Sequence, residues 1–169
     1  MIGAARPAAL LLIAAIGLAA CGGRRAAAPP KAVQPVRLER EWIDDTARFI
    51  DALDQSVQLT TSGGTDLRSA QLALHDESDL YAMLVAYIAF DQCEQTVLYD
   101  AAPNARLDGV ATSLTAACRT LRRASDLFTV AVKQSDATVL LAATRTTLQA
   151  APILYRAQAE LEQIRASLG

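Results

Sequence analysis

The chain has 169 residues, of which 52% are hydrophobic, 20% charged and 5% aromatic. The apolar fraction is too high for an intrinsically disordered protein. The 16 basic and 18 acidic side chains give a net charge of −2, which excludes the strongly basic surface typical of nucleic-acid binding. Composition therefore predicts one folded domain with no nucleic-acid partner.

The first 20 residues have the pattern of a secretory signal. Arg6 supplies a positive charge, and an uncharged stretch runs from Pro7 to Gly23. It contains Leu18-Ala19-Ala20-Cys21, which resembles the lipobox of bacterial lipoproteins. The resemblance implies removal of residues 1–20 and acylation of Cys21 with palmitate-type chains. Because the uncharged stretch is close to the length of a membrane-spanning helix, an uncleaved anchor is the alternative.

The same resemblance implies a location. Acyl chains on Cys21 would hold the protein on the cell membrane or the outer membrane, facing the periplasm or the cell exterior. Residues 21–35 are rich in Gly, Ala and Pro and lack apolar periodicity, which predicts a flexible tether. The folded domain is then residues 36–169.

Apolar residues in this domain recur at helical spacing, and no alternating strand pattern is present. A first helix is predicted from Pro35 to Leu59, ended by Gly63-Gly64. A short helix over Leu67 to Leu74 follows and breaks near His75-Asp76. This part of the chain therefore predicts one long helix followed by one short helix.

The next segment, Leu80 to Phe90, has eleven residues without a charge. It is too short to cross a bilayer, so it predicts a central helix buried on all sides. This helix is expected to begin at a cap formed by Ser78 or Asp79 and to continue to Tyr99.

Two more long helices complete the domain. Pro103-Asn104 predicts a turn, and Leu107 to Val132 a helix. Ser135-Asp136 is expected to cap the last helix, which extends through Leu140 to Leu168. Four main helices and one short helix with short connections predict an all-α antiparallel bundle.

Cys93 and Cys118 remain once Cys21 is assigned to the lipid. An even number of cysteines in an exported protein predicts a disulfide. The position halfway between them falls in the turn at 102–106, so an antiparallel hairpin places both at the same level. A redox pair would more often have C-x-x-C spacing, and a zinc site would need more ligands than the single histidine supplies.

No constellation in the sequence predicts catalysis. His75 is the only histidine, and neither a nucleophile with a base nor a glycine-rich phosphate loop is evident. The acidic residues after His75 are typical of a helix start, where carboxylates complement the dipole. We therefore expect no enzyme activity, catalytic residue, metal site or cofactor.

One basic cluster is a candidate contact for phosphate or an acidic partner: Arg119, Arg122 and Arg123, with Asp126 in reach on the same helix. The sequence hypothesis is a non-catalytic interaction or structural module that binds an unidentified protein of the cell envelope. The alternative is a binding module for a small apolar ligand, held between helices near Trp42, Tyr81, Met83, Tyr87 and Phe90.

Overall fold

The structure, a computed structural model, describes residues 35–62, 64–99 and 101–168. The predicted signal peptide, lipidation at Cys21 and the tether up to residue 34 lie outside these residues. All the elements in the described part are helical. They are α1 (Pro35–Ser62), α2 (Leu67–His75), α3 (Glu77–Tyr99), a 3-10 turn (Ala105–Leu107), α4 (Asp108–Gln134) and α5 (Ala137–Ala166).

Aspartates define the starts of three helices. Asp66 Oδ1 accepts the Ser69 N–H of α2 at 2.9 Å, and Asp136 Oδ1 accepts the Thr138 N–H of α5 at 2.8 Å. These bonds satisfy N–H groups that have no partner within the helix. The bonds from Ser69 also hold the pKa of Asp66 below its ordinary value.

The predicted cap of α3 is wrong by a few residues. Asp76 is the cap, because its Oδ1 accepts the N–H groups of Ser78 at 2.9 Å and Asp79 at 3.0 Å. Ser78 and Asp79 therefore lie inside the first turn and donate to the cap. Several neighbouring residues can serve as caps, and sequence alone does not choose among them.

The long helices pack as the predicted antiparallel bundle. α4 packs against α3 and α5, α1 packs against the same two helices, and α2 lies against α3 and α5. Asp44 near the start of α1 meets Arg165 near the end of α5 at 2.6 Å, so these two helices run antiparallel. The all-α class, the four long helices and the short extra helix are confirmed.

Buried alanines recur at a regular spacing on α4 and α5, two helices that pack against each other. Small side chains at seven-residue steps let two helix backbones approach closely along their length. On each helix three fully buried alanines follow this spacing: Ala117, Ala124 and Ala131 on α4, and Ala143, Ala150 and Ala157 on α5.

Aromatic residues fill the centre of the bundle. Tyr87 and Phe90 of α3 are fully buried, with ring centroids 5.4 Å apart and their planes nearly perpendicular. Tyr87 also stacks on Phe128 of α4 at 4.3 Å. Edge-to-face and offset-stacked pairs of this kind add to the stabilisation from burial alone. Three of the eight aromatic side chains therefore pack together between α3 and α4.

The prediction that α3 is buried on all sides is wrong. Tyr81, Leu84, Val85 and Ile88 are between 46% and 69% exposed. We call these four residues the outer ridge. They recur at steps of three, one and three residues, so they share one side of the helix, opposite the side that carries Tyr87 and Phe90. Among the described residues, no helix is long and apolar enough to cross a membrane.

Candidate functional site

The disulfide between Cys93 and Cys118 joins α3 to α4, as predicted. The two Cα atoms are 5.3 Å apart, within the usual range for a disulfide. Both residues are at most 1% exposed, so reductants in solution have little access to the bond. This burial is typical of a structural disulfide rather than a redox centre, which needs an accessible thiol.

The arginine cluster lies beside this disulfide and is partly paired across helices. Arg119 Nε is 3.1 Å from Glu94 Oε1 of α3, and Arg122 Nη1 is 3.9 Å from Glu94 Oε2. Arg123 is exposed and forms no ion pair with the described residues. Sequence spacing suggested Asp126 as the neutralising group, because a partner on another helix is not visible from the spacing within one helix.

Polar contacts join the helix ends at the end of the bundle where α1 begins. Glu39 is 8% exposed, and its Oε1 lies 4.0 Å from Arg106 Nη1, with no hydrogen bond to a described residue. Arg106 also donates to the hydroxyl of Ser167 beyond α5. Arg40 Nη2 donates to the carbonyl of Leu168 at 3.0 Å. These contacts hold the end of α5 against the start of α1, which suits a structural role.

Tyr87 is the one buried titratable group with a shifted pKa among the described residues. Burial raises the pKa of its phenol, and hydrogen bonds from Thr147 and Thr144 offset part of that effect. Thr147 Oγ1 lies 3.5 Å from Tyr87 Oη and donates to the Ala143 carbonyl at 3.1 Å. The phenol of Tyr87 lies in the packed core, so Tyr87 is a core residue.

The raised pKa of Tyr87 predicts a loss of stability at alkaline pH. The unfolded chain releases the phenolic proton near pH 10, whereas the folded chain still holds it. The contribution of Tyr87 to stability is therefore complete below pH 10 and declines as the pH rises towards its folded pKa. We expect Tyr87→Phe to make the free energy of unfolding, measured by urea titration between pH 9 and 11, less dependent on pH.

Tyr155 supplies the matched control, since it is 56% exposed on α5. Tyr155→Phe should leave the steepness of the alkaline decline as it is in the wild type. Equal pH dependence in the Tyr87→Phe variant and the wild type would show that the buried phenol contributes nothing to it.

The residues predicted for an apolar ligand separate in the structure. Met83, Tyr87 and Phe90 are fully buried core residues, and Tyr81 lies on the outer ridge. Trp42 borders a cavity. That cavity has a volume of about 170 Å³, below the 300–1,000 Å³ or so usual for small-molecule sites. Its other lining residues are Asp45, Thr46, Phe49, Thr96, Val97 and Leu114.

The histidine and acidic residues between α2 and α3 are exposed. His75 ends α2, and Asp76 serves as the α3 cap. Among the described residues, no group of three or more His, Cys, Asp or Glu side chains is placed to hold a metal ion. These residues therefore form the boundary between α2 and α3, with Asp76 as the cap.

No family model, curated protein or solved structure matches this chain. Function is therefore inferred from its own residues. Two surface features of the described part are candidates for an interaction site: the arginine cluster, in which Arg123 forms no ion pair with a described residue, and the outer ridge of α3. The spacing that places the four ridge residues on one side of a helix is present in the sequence, but the uncharged run around them predicts burial on all sides.

Proposed function

We propose that the protein is an exported, lipid-anchored lipoprotein whose bundle is a non-catalytic interaction or structural module of the bacterial cell envelope. The observation that carries the proposal is the buried disulfide between Cys93 and Cys118, taken together with the lipobox-like Leu18-Ala19-Ala20-Cys21. Disulfides persist in oxidising compartments such as the periplasm and are rare in the cytosol.

The anchor and the bundle have separate roles in this proposal. Two or three acyl chains on Cys21 hold the chain on a membrane, because each buried CH₂ contributes about 0.8 kcal/mol. Residues 22–34 connect the lipid to Pro35, where α1 begins. The bundle contributes a surface, since exposed apolar patches on a stable domain are typical of interaction sites. The outer ridge is such a patch.

The lipid anchor is testable by metabolic labelling with a palmitate analogue in bacterial cells. We expect the wild type to be labelled and Cys21→Ala to be unlabelled, because alanine has no thiol to acylate. Cys118→Ala is the matched control and should keep its label, since the sulfur removed belongs to the buried disulfide and Cys21 is unchanged. Label on Cys21→Ala at the wild-type level would refute the lipid anchor.

A second candidate function, binding of a small apolar ligand, is favoured by one observation. The cavity beside Trp42 and Phe49 is mostly apolar, with Val97 and Leu114 on its other walls. Its volume admits a molecule of only a few carbon atoms. Quenching of the single tryptophan by a short-chain hydrocarbon or alcohol would support this function, and unchanged emission at saturating ligand would contradict it.

A further inference from the structure

The outer ridge of α3 is bounded at each end by a carboxylate. Glu77 lies four residues before Tyr81, and Asp91 lies three residues after Ile88, so both continue the line of the ridge. Both side chains are exposed. The two carboxylates are about 21 Å apart along the helix axis. The surface is therefore an apolar strip about two turns long with a negative charge beyond either end.

No positive charge on the same helix offsets these carboxylates. α3 contains four acidic residues and no Lys, Arg or His. Of the other two acidic residues, Glu94 is the partner of Arg119, and Asp79 lies in the first turn. The charge pattern thus complements a helix that has an apolar stripe with basic residues at both ends of it.

A lipid surface fits this strip poorly. Bacterial membranes are anionic, and amphipathic helices that lie on them carry Lys or Arg beside the apolar face rather than carboxylates.

A second copy of this chain also fits poorly. If the α3 helices of two copies paired in parallel, Glu77 would face Glu77 and Asp91 would face Asp91. If they paired antiparallel, Glu77 would face Asp91. In both arrangements like charges face each other and repel. The apolar strip is too short to offset this repulsion by burial, because it extends for only eight residues from Tyr81 to Ile88.

We propose that the outer ridge is the docking surface for a basic amphipathic helix of a partner protein. The partner helix lays its apolar face on Leu84, Val85 and Ile88, and its lysine or arginine side chains meet Glu77 and Asp91. This inference rests on the proposed role of the bundle as an interaction module, but it does not depend on the lipid anchor.

The test uses the full lipidated chain in nanodiscs of neutral phosphatidylcholine. A photo-crosslinking amino acid replaces Leu84, or, as a control, Leu148, which is 42% exposed on α5. The probe is an 18-residue Leu/Ala/Lys amphipathic peptide, and its comparator carries Glu in place of every Lys. We expect the basic peptide to crosslink at position 84 far more than at position 148, and the acidic peptide to crosslink at neither.

Neutral variants test the charges with little change in shape. Glu77→Gln with Asp91→Asn should weaken binding of the basic peptide about fivefold to tenfold at low salt, and 0.5 M salt should remove most of that difference. Asp51→Asn with Asp126→Asn is the matched control, because both residues are exposed on other helices. This control should bind the basic peptide as the wild type does.

Several outcomes would overturn the inference. Equal crosslinking of the acidic peptide, or no effect of Glu77→Gln with Asp91→Asn, would show that charge does not select the partner. Capture at position 84 of lipid, or of a second copy of the chain, in place of the basic peptide would assign the ridge to another occupant. These failures are distinct from failure of the lipid anchor, which is read from labelling of Cys21 alone.

Discussion

Replacing both Cys93 and Cys118 by alanine is expected to lower the free energy of unfolding by about 3–4 kcal/mol. The disulfide closes a loop of roughly 26 residues, and loss of that constraint lets the unfolded chain gain the corresponding entropy. Alanine suits both sites because it introduces no polar group into positions that are almost fully buried. For a domain of this size the midpoint of thermal unfolding should fall by about 10 °C.

Urea titration of the oxidised wild type and the double variant measures this loss. Reductant with enough denaturant to expose the bond should bring the wild type to the stability of the Cys93→Ala/Cys118→Ala variant and leave that variant unchanged. Equal stability of the variant and the oxidised wild type would show that the cross-link does not stabilise the fold.

The features that the sequence predicted well depend on the residue spacing within one helix or on the position of a turn between two helices. The helical spacing of apolar residues predicted α1. Of these residues Trp42, Ile50 and Leu53 are buried, whereas Leu38 is exposed. The disulfide followed because Cys93 and Cys118 lie at equal distances from a turn. In both cases a local period or a turn position determines the outcome, so no knowledge of neighbouring helices is required.

The features that sequence missed depend on which helices become neighbours. Composition shows that the segment from Leu80 to Phe90 is apolar, but not how many of its sides meet another helix. The bundle covers Tyr87 and Phe90 and leaves Leu84 and Ile88 open. The partner of Arg119 was missed for the same reason, because Glu94 lies on α3, 25 residues earlier.

The aromatic cluster at the centre of the bundle gives the second large effect. Phe128→Ala is expected to cost about 3–5 kcal/mol, because it removes a 97% buried ring and leaves a cavity against Tyr87. Val130→Ala, at a position 39% exposed on the same helix, should change stability by less than about 0.5 kcal/mol. Similar urea midpoints for Phe128→Ala and Val130→Ala would contradict the assignment of Phe128 to the core.

Combining the two changes tests whether the fold survives the loss of both the disulfide and the Phe128 ring. Cys118 and Phe128 lie ten residues apart on α4, about 15 Å along the helix, so their effects should be nearly additive. The summed loss of about 6–9 kcal/mol approaches the 5–15 kcal/mol or so by which whole domains are stable. Cys93→Ala/Cys118→Ala/Phe128→Ala is therefore expected to be largely unfolded by circular dichroism at 37 °C. A cooperative thermal transition of the triple variant well above 37 °C would show that the rest of the core holds the fold without the disulfide and the Phe128 ring.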